Sequence, residues 1–418
     1  MKNNIYIYIP KAVYSEFDSI APFILELHKN NNKLYTFMFD NKILPHITSS
    51  HIHKKIFNEY TKVLNFFPKN RSKLFILDYF KQIICVAKFI AIMVILSIKY
   101  KNIHIFINWP SKGKNQSYKY NLLYRVIIFM SKIIGGNIYS FPGIQAPFTT
   151  PLLERLYGYG AEKISNFEKR AEKNIKKIIR TPETQDIIVY TEEHKNALIN
   201  IYGIKNKIYK VGIPRLYPSW QDFLKKHGMI DYNSTLKALN IKEDNEKIIT
   251  ILVTVPDYDW HKEGHDFYSL LDEAIIVIKL YFPNKKIFIK AKPHLYEIFQ
   301  NHEIFNKNNN VYFYKLSLAS LTQRSLFCLC IQESSGIFDF LTTGIPVIEY
   351  SDYNDEYIKM YPGVNPWKGC PGFFMAHETS KLKYYVKKIY NKELFYYKEE
   401  LINFYGHKKD LKSFGIEE

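Results

Sequence analysis

Short apolar runs separated by longer amphipathic stretches recur along most of the chain. Residues 4–9 (NIYIYI), 33–40 (KLYTFMFD), 102–108 (NIHIFIN), 137–141 (NIYSF), 186–190 (DIIVY) and 208–211 (IYKV) have the alternation and β-branched or aromatic content of strands. Residues 15–30 form an amphipathic helical pattern that opens on a Ser, with acids in its first turn. Gly135-Gly136 closes another helical pattern just before NIYSF. The alternation pauses over residues 215–234, where the sequence predicts an interdomain linker, and then restarts. Residues 247–255 (KIITILVTV) are nearly all apolar, as expected of a central parallel strand buried on both faces. A helix over 267–281 follows, then strands at 286–290, 311–314 and 326–331, a short helix at 336–343, a final strand at 346–350 and helical text over 379–405. Strands separated by helices need crossover connections, so the expected class is α/β with mainly parallel sheets. The pattern divides into an N-terminal domain over 1–215, a C-terminal domain over 235–378, and terminal helices over 379–418 that could cross back to the first. Two facing doubly wound domains would receive ligands in a cleft, at the carboxyl ends of their strands.

Residues 82–98 (QIICVAKFIAIMVILSI) carry one charge, Lys88, in 17 positions. That length is near the lower limit for a membrane span, and strand-like text follows within a few residues, so a buried helix of an α/β domain is the favoured expectation. The N-terminus begins directly in a strand pattern, with no export signal. Four cysteines do not make a disulfide framework in 418 residues, and Cys328 and Cys330, inside an apolar run, read as small core residues. The net charge of +18, from 58 basic and 40 acidic residues, favours polyanionic partners. No nucleic-acid-binding module is visible, which leaves an anionic membrane surface or a phosphate-bearing substrate. A cytoplasmic protein, peripheral at the inner face of the cytoplasmic membrane, is the resulting expectation.

Three segments carry candidate chemistry. Glu333-Ser334-Ser335-Gly336 lies between the apolar run 326–331 and the helix after it, where N–H and hydroxyl groups can hold a phosphate; a cap made by Ser334 is the plainer reading. Lys290-Ala291-Lys292-Pro293-His294 ends a predicted strand, placing Lys292, Pro293 and His294 at a carboxyl end, and His294 could stabilise a departing phosphate. Residues 256–267 (PDYDWHKEGHDF) bring His261, Lys262 and His265 beside three aspartates in a polar loop read as phosphate-facing. The His and Asp content lacks a metal-binding spacing, so no metal is assigned. The N-terminal half offers only Asp18 and Asp40 as candidate general bases, each equally a cap or loop charge.

Taken in order, the polar loop, the KPH segment and E-S-S-G-x-x-D-F leading to G-x-P-V-I-E-Y resemble the donor half of the CDP-glycerol glycerophosphotransferases, a GT-B glycosyltransferase-like family. They also resemble bacterial CMP-sialic acid and CMP-Kdo transferases with HP and SS motifs. The segment 208–215 (IYKVGIPR) is similar to the interdomain segment of those enzymes, a layout shared with UDP-N-acetylglucosamine 2-epimerases. The resemblance implies a GT-B-like pair of Rossmann-like domains and a metal-independent transferase without a bound cofactor. Its donor would be a CMP- or CDP-activated compound in preference to a UDP-sugar, and its acceptor a glycan or lipid-linked glycan of a capsule, lipooligosaccharide or teichoic-acid-like polymer. It further implies that His294 contacts the donor phosphate and that Ser334 and Ser335 hold phosphate or ribose. This chain has Leu295 where the family usually has Pro, and Gln332-Glu333 where it tends to have Asp-Tyr. The competing expectations are a UDP-sugar 2-epimerase, with Glu333 and Asp257 as its carboxylates, and a catalytically silent nucleotide-sugar-binding scaffold.

Overall fold

In a computed structural model of the protein, the described residues are 2–10, 14–29, 32–39, 47–48, 50–66, 75–108, 118–141, 186–192, 195–196, 199, 207–242, 245–253, 266–291, 295–300, 302–332, 334, 336–354 and 369–405. They fall into two compact units, one drawn from residues 2–141 and 186–220, the other from 221–405.

The first unit is built on seven parallel strands, β1 (Lys2–Ile9), β2 (Lys33–Met38), β3 (Lys62–Asn65), β4 (Tyr100–Asn108), β5 (Asn137–Phe141), β6 (Asp186–Val189) and β7 (Lys207–Lys210), in the order β3-β2-β1-β4-β5-β6-β7. Helices α1 (Tyr14–Lys29), α2 (His51–Tyr60), α3 (Phe75–Lys99) and α4 (Tyr118–Ile133) make the crossovers. On one face, Ile5, Ile7, Ile105 and Ile107 pack against Phe89, Met93 and Leu96 of α3 and Ile127 and Met130 of α4. On the other, Tyr8 meets Phe17 of α1 and Phe57 of α2, and Phe106 meets Phe23 of α1. The short β3 was not legible in the sequence, because only four partly exposed residues form it at the sheet edge.

The helix over the apolar segment departs from expectation. It extends to Phe75–Lys99, and only one side of it is buried; Ile84, Val94, Ile95 and Ile98 are exposed. Periodicity could not show this, because apolar residues occupy both faces. Phe89 and Met93 are fully buried against the sheet, so α3 belongs to the folded unit. Among the described residues no helix is long and apolar enough to cross a membrane.

The second unit contains six parallel strands: β8 (Ile248–Val253), β9 (Ile287–Lys290), β10 (Val311–Tyr314), β11 (Ser325–Ile331), β12 (Val347–Tyr350) and β13 (Phe373–Ala376), ordered β10-β9-β8-β11-β12-β13. Its helices are α5 (Pro218–His227), α6 (Ile230–Ala238), α7 (Phe267–Tyr281), α8 (Tyr296–Gln300), α9 (Ile304–Lys307), α10 (Leu318–Thr322), α11 (Ile337–Leu341), α12 (Thr379–Tyr390) and α13 (Lys398–Tyr405), the first turn of α5 lying at the boundary of the first unit. All six residues of β8 are buried, as its continuous apolar run required. One face packs on Leu271, Ile275 and Ile278 of α7 and Leu382 and Val386 of α12. Cys328 and Cys330 are buried in β11 and Cys370 before β13; Cys85, on α3, is half-buried, and none is in a disulfide. Tyr350 and Thr379 both donate hydrogen bonds to Glu273, joining β12, α12 and α7.

Residues 215–234 contain the boundary between the two units, after Trp220, but they are helical and not an extended linker. They hold a 3-10 turn (Pro214–Leu216), α5 and the start of α6. Pro218 and Gly228, which look like loop punctuation, begin and close α5 instead. Trp220, Phe223 and Leu224 are buried along one side of that helix. Ser320 of α10 donates to the Gly228 carbonyl, and Asp231 accepts from the Ser317 N–H, so this segment is packed against α10. A further strand, β13, follows the one expected to be last. It opens after Gly372, whose φ of 78° and contact with the Tyr396 ring leave no space for a side chain.

His104 of β4 lies stacked on Tyr6 with its Nδ1 3.1 Å from the Tyr139 hydroxyl. Burial lowers its pKa from 6.5 to about 4, because a charged imidazolium would lose its hydration there. The folded state therefore binds fewer protons than the unfolded state between those values. Stability should be fully present above pH 6.5 and fall as the pH drops toward 4, by about 3 kcal/mol at the limit. We expect thermal unfolding of His104→Phe to depend less on pH across this window than that of the wild type. Equal slopes would assign the pH dependence to other groups.

Candidate functional site

The order of the second sheet fixes where a ligand can bind. The chain starts at β8 in the middle, runs outward to β9 and β10, and then returns to the other side of β8 with β11. At such a reversal the connections leave to opposite sides and open a crevice at the carboxyl ends. Strands β9, β8 and β11 are adjacent, so the chain emerges from Lys290, Val253 and Ile331 within about 10 Å, two interstrand spacings. The segments that follow those ends are the three that the sequence singles out. His261, Lys262, Lys292, Pro293, His294, Glu333 and Ser335 lie outside the described residues, as does Asp40. Asp18 lies on α1, in the second turn and not the first, because the helix begins at Tyr14.

Ser334 and Gly336 are described, and they show how the turn after β11 is made. The Ser334 hydroxyl accepts a hydrogen bond of 3.2 Å from the Gly336 N–H, which leaves its own proton to be donated. This is a turn bond and not the helix cap that the plainer reading expected: the cap position of α11 belongs to Gly336, without a side-chain cap. The helix is shorter than expected, five residues at Ile337–Leu341, so a phosphate here would depend on the turn's own N–H and O–H groups more than on a helix dipole. Gly336 approaches β8 closely. A Cβ at this position would stand 2.8 Å from a Leu318 methyl and 3.3 Å from a methyl of Leu252. Just before the turn, Gln332 is buried with φ of 61°, a left-handed backbone unusual for a residue other than Gly, Asn or Asp, while its N–H bonds the Tyr350 carbonyl. Backbone held in that region costs on the order of 1 kcal/mol or more and gathers at functional turns. Nothing in the sequence signals it.

The same sheet edge carries polar residues that sequence reasoning missed. Lys290 donates from Nζ to the Tyr296 hydroxyl and, at 3.1 Å, to the Lys315 carbonyl, which holds its ammonium at the carboxyl ends of β9 and β10. Its place within KAKPH was the available signal, but spacing alone did not separate it from a solvated lysine. His377, just after β13, has Nδ1 3.2 Å from the Ser351 hydroxyl, and buried Glu349 accepts from Tyr353 at 2.7 Å. His377 was missed because its strand was missed. Asp266, grouped in the sequence with the polar loop, has a structural role: it caps α7, accepting from the Ser269 N–H at 2.7 Å while Ser269 reaches back to its N–H. Among the described residues no group of three His, Cys, Asp or Glu could hold a metal ion.

The family model for CDP-Glycerol:Poly(glycerophosphate) glycerophosphotransferase matches residues 149–402. No curated protein matches the chain in sequence. Among solved structures, UDP-GlcNAc 2-epimerase from Neisseria meningitidis bound to UDP-GlcNAc aligns with a TM-score of 0.54 at 15% identity, over 93% of each chain. Medicago truncatula UGT71G1 complexed with UDP-glucose gives 0.52 at 14% identity, over 96% of this chain and 93% of that one. Methanocaldococcus jannaschii UDP-GlcNAc 2-epimerase in complex with UDP-GlcNAc and UDP gives 0.50 at 13%, over 94% of each. These likenesses show a GT-B-like fold of two Rossmann-like domains.

The close approach at Gly336 can be tested directly. Gly336→Ala should lower the unfolding free energy by about 1–3 kcal/mol, the usual cost of overpacking, because Leu318 and Leu252 must give way. Gly336→Ala unfolding at the wild-type temperature would mean that the turn has room to spare.

Proposed function

The chain belongs to the CDP-glycerol:poly(glycerophosphate) glycerophosphotransferase family, and on that premise we propose that it transfers a polyol phosphate from a cytidine nucleotide to a growing, lipid-linked surface polymer of the teichoic-acid type. The observation that carries this reading is the span of the family match, which includes every strand of the second sheet and all three segments at its reversal point. In the reaction an acceptor hydroxyl attacks the phosphorus of the transferred group. A new P–O bond forms, the bond to the cytidine monophosphate oxygen breaks, the hydroxyl proton passes to a base, and CMP departs with the bond's electron pair.

The residues have distinct parts in this reading. His294 and Lys292 offset the negative charge that develops on the departing phosphate, and Pro293 orients them. Ser334, Ser335, Gly336 and Glu333 hold phosphate and ribose, and His261 and Lys262 add positive charge for the same phosphates. The chemistry calls for no metal or prosthetic group, since cations and N–H donors of the chain can carry the charge. Asp18 and Asp40 are the candidate bases from the first unit. A net charge of +18 suits both the phosphate-bearing substrates and an acceptor held at the inner face of an anionic membrane.

Incubating the full chain with CDP-glycerol, CMP-sugars and UDP-sugars, each with a lipid-linked acceptor, separates the possible activities. We expect release of CMP and growth of the polymer with the first of these donors. Transfer or 2-epimer formation with UDP-sugars alone would overturn the reading. In the active system, His294→Ala should lower transfer by about 10²-fold or more while leaving the unfolding temperature nearly unchanged. Full activity in that variant, or a loss explained by unfolding, would make His294 structural.

A further inference from the structure

The outer faces of α3 and α4 are apolar where a solvated helix would be polar. Ile84, Val94, Ile95 and Ile98 of α3 with Phe129 and Ile133 of α4 are 42–71% exposed, and the two helices touch. On α3 these positions repeat at helical spacing along the side opposite Phe89, Met93 and Leu96, which are buried on the sheet. The stripe's one cation does not interrupt it: Lys88 folds back, its Nζ 3.3 Å from the Asn65 carbonyl and over the Phe66 ring. A continuous exposed apolar patch of this kind marks a contact surface.

Charge identifies what covers it. Residues 75–141 contain nine Lys or Arg and a single acid, Asp78, so this sixth of the chain holds a net +8 of the total +18. The basic excess is therefore concentrated in the stretch of sequence that carries the stripe instead of being spread evenly along the chain. Exposed Lys99, Lys101 and Lys132 stand at one end of it, where α3 and α4 both finish at the amino edge of the sheet beside Ile98 and Ile133. Like charge around the stripe opposes pairing with a second copy of the chain. Apolar residues flanked by lysines match the boundary of an anionic bilayer, with acyl chains under the isoleucines and headgroup phosphates at the ammonium groups.

We propose that the α3–α4 face is the chain's membrane contact, lying in the plane of an anionic lipid surface with the isoleucine stripe inserted to headgroup depth. This deepens the membrane reading above and rests on it. Flotation of the full chain with vesicles of phosphatidylcholine, with and without phosphatidylglycerol, at low and high salt, tests it without relying on transfer. We expect flotation with the anionic vesicles, weakened but retained at high salt because the apolar part is unscreened. The triple variant Ile84→Ser, Ile95→Ser, Ile98→Ser should lower partitioning by about 10- to 100-fold at either salt, with an unchanged unfolding temperature. A second variant, Lys99→Gln with Lys101→Gln and Lys132→Gln, should lose the preference for phosphatidylglycerol. Equal flotation of either variant and the wild type overturns the assignment of this face while leaving the membrane reading in place. No flotation of the wild type overturns both. A wild-type dimer in sedimentation that the isoleucine variant converts to monomer makes the stripe a self-interface and also overturns the proposal.

Discussion

The second unit depends on the pairing of β8 with β11. These two strands are distant in sequence, and their contact creates the reversal that places three separate loops at one edge. Inside the sheet the pairing is supported by the buried bond between the Thr250 and Ser325 hydroxyls, 2.7 Å apart. At its end the pairing is closed by Gly336, where the missing side chain lets the turn settle onto Leu252. A phosphate site needs several weak donors aimed at one point. In the proposed site the aim would come from strand order and the donors from turns, one of which follows a left-handed Gln332.

The two units share a strand order over the first six strands of each but differ in what they leave exposed. Both begin in the middle, run outward and return, as expected when right-handed crossovers build a doubly wound sheet. In the second unit the polar features gather at the carboxyl edge, from Lys290 to His377. In the first, the notable surface is a flank, the outer side of α3 and α4. On the reading proposed above, these two surfaces divide the labour: the sheet edge of the second unit would handle the donor, and the helix faces of the first would set where the protein sits.

Much of the fold was legible because long parallel strands announce themselves. The run KIITILVTV has no other comfortable place than the centre of a sheet, and residues 267–281 carry a plain helical stripe. Elements held mainly by context were not legible. β3 is four half-exposed residues at an edge, and β13 is four residues introduced by a positive-φ glycine. The stretch with α5 and α6 does contain the boundary between the two units, but its helices were not legible because Pro218 and Gly228 mark helix ends as readily as loops. At the candidate site, the order of the motifs pointed to the segments that follow β8, β9 and β11, whereas Lys290, Gln332 and His377 owe their places to strand ends and backbone conformation, which spacing does not encode.

The distribution of thiols has a practical consequence. Burial raises the pKa of Cys328 well above its ordinary value and that of Cys370 to about 12, so neither presents a thiolate near neutral pH. Cys330 is equally enclosed, beside the Gln332 carbonyl. Cys85 alone is half-buried; partial burial raises its pKa too, with Lys88 drawing it back, so its exposure on α3 next to Ile84 is what sets it apart. The native chain therefore comes with a single addressable position for a fluorophore or spin label. That position reports from the flank of the first unit, without any residue having to be removed or introduced.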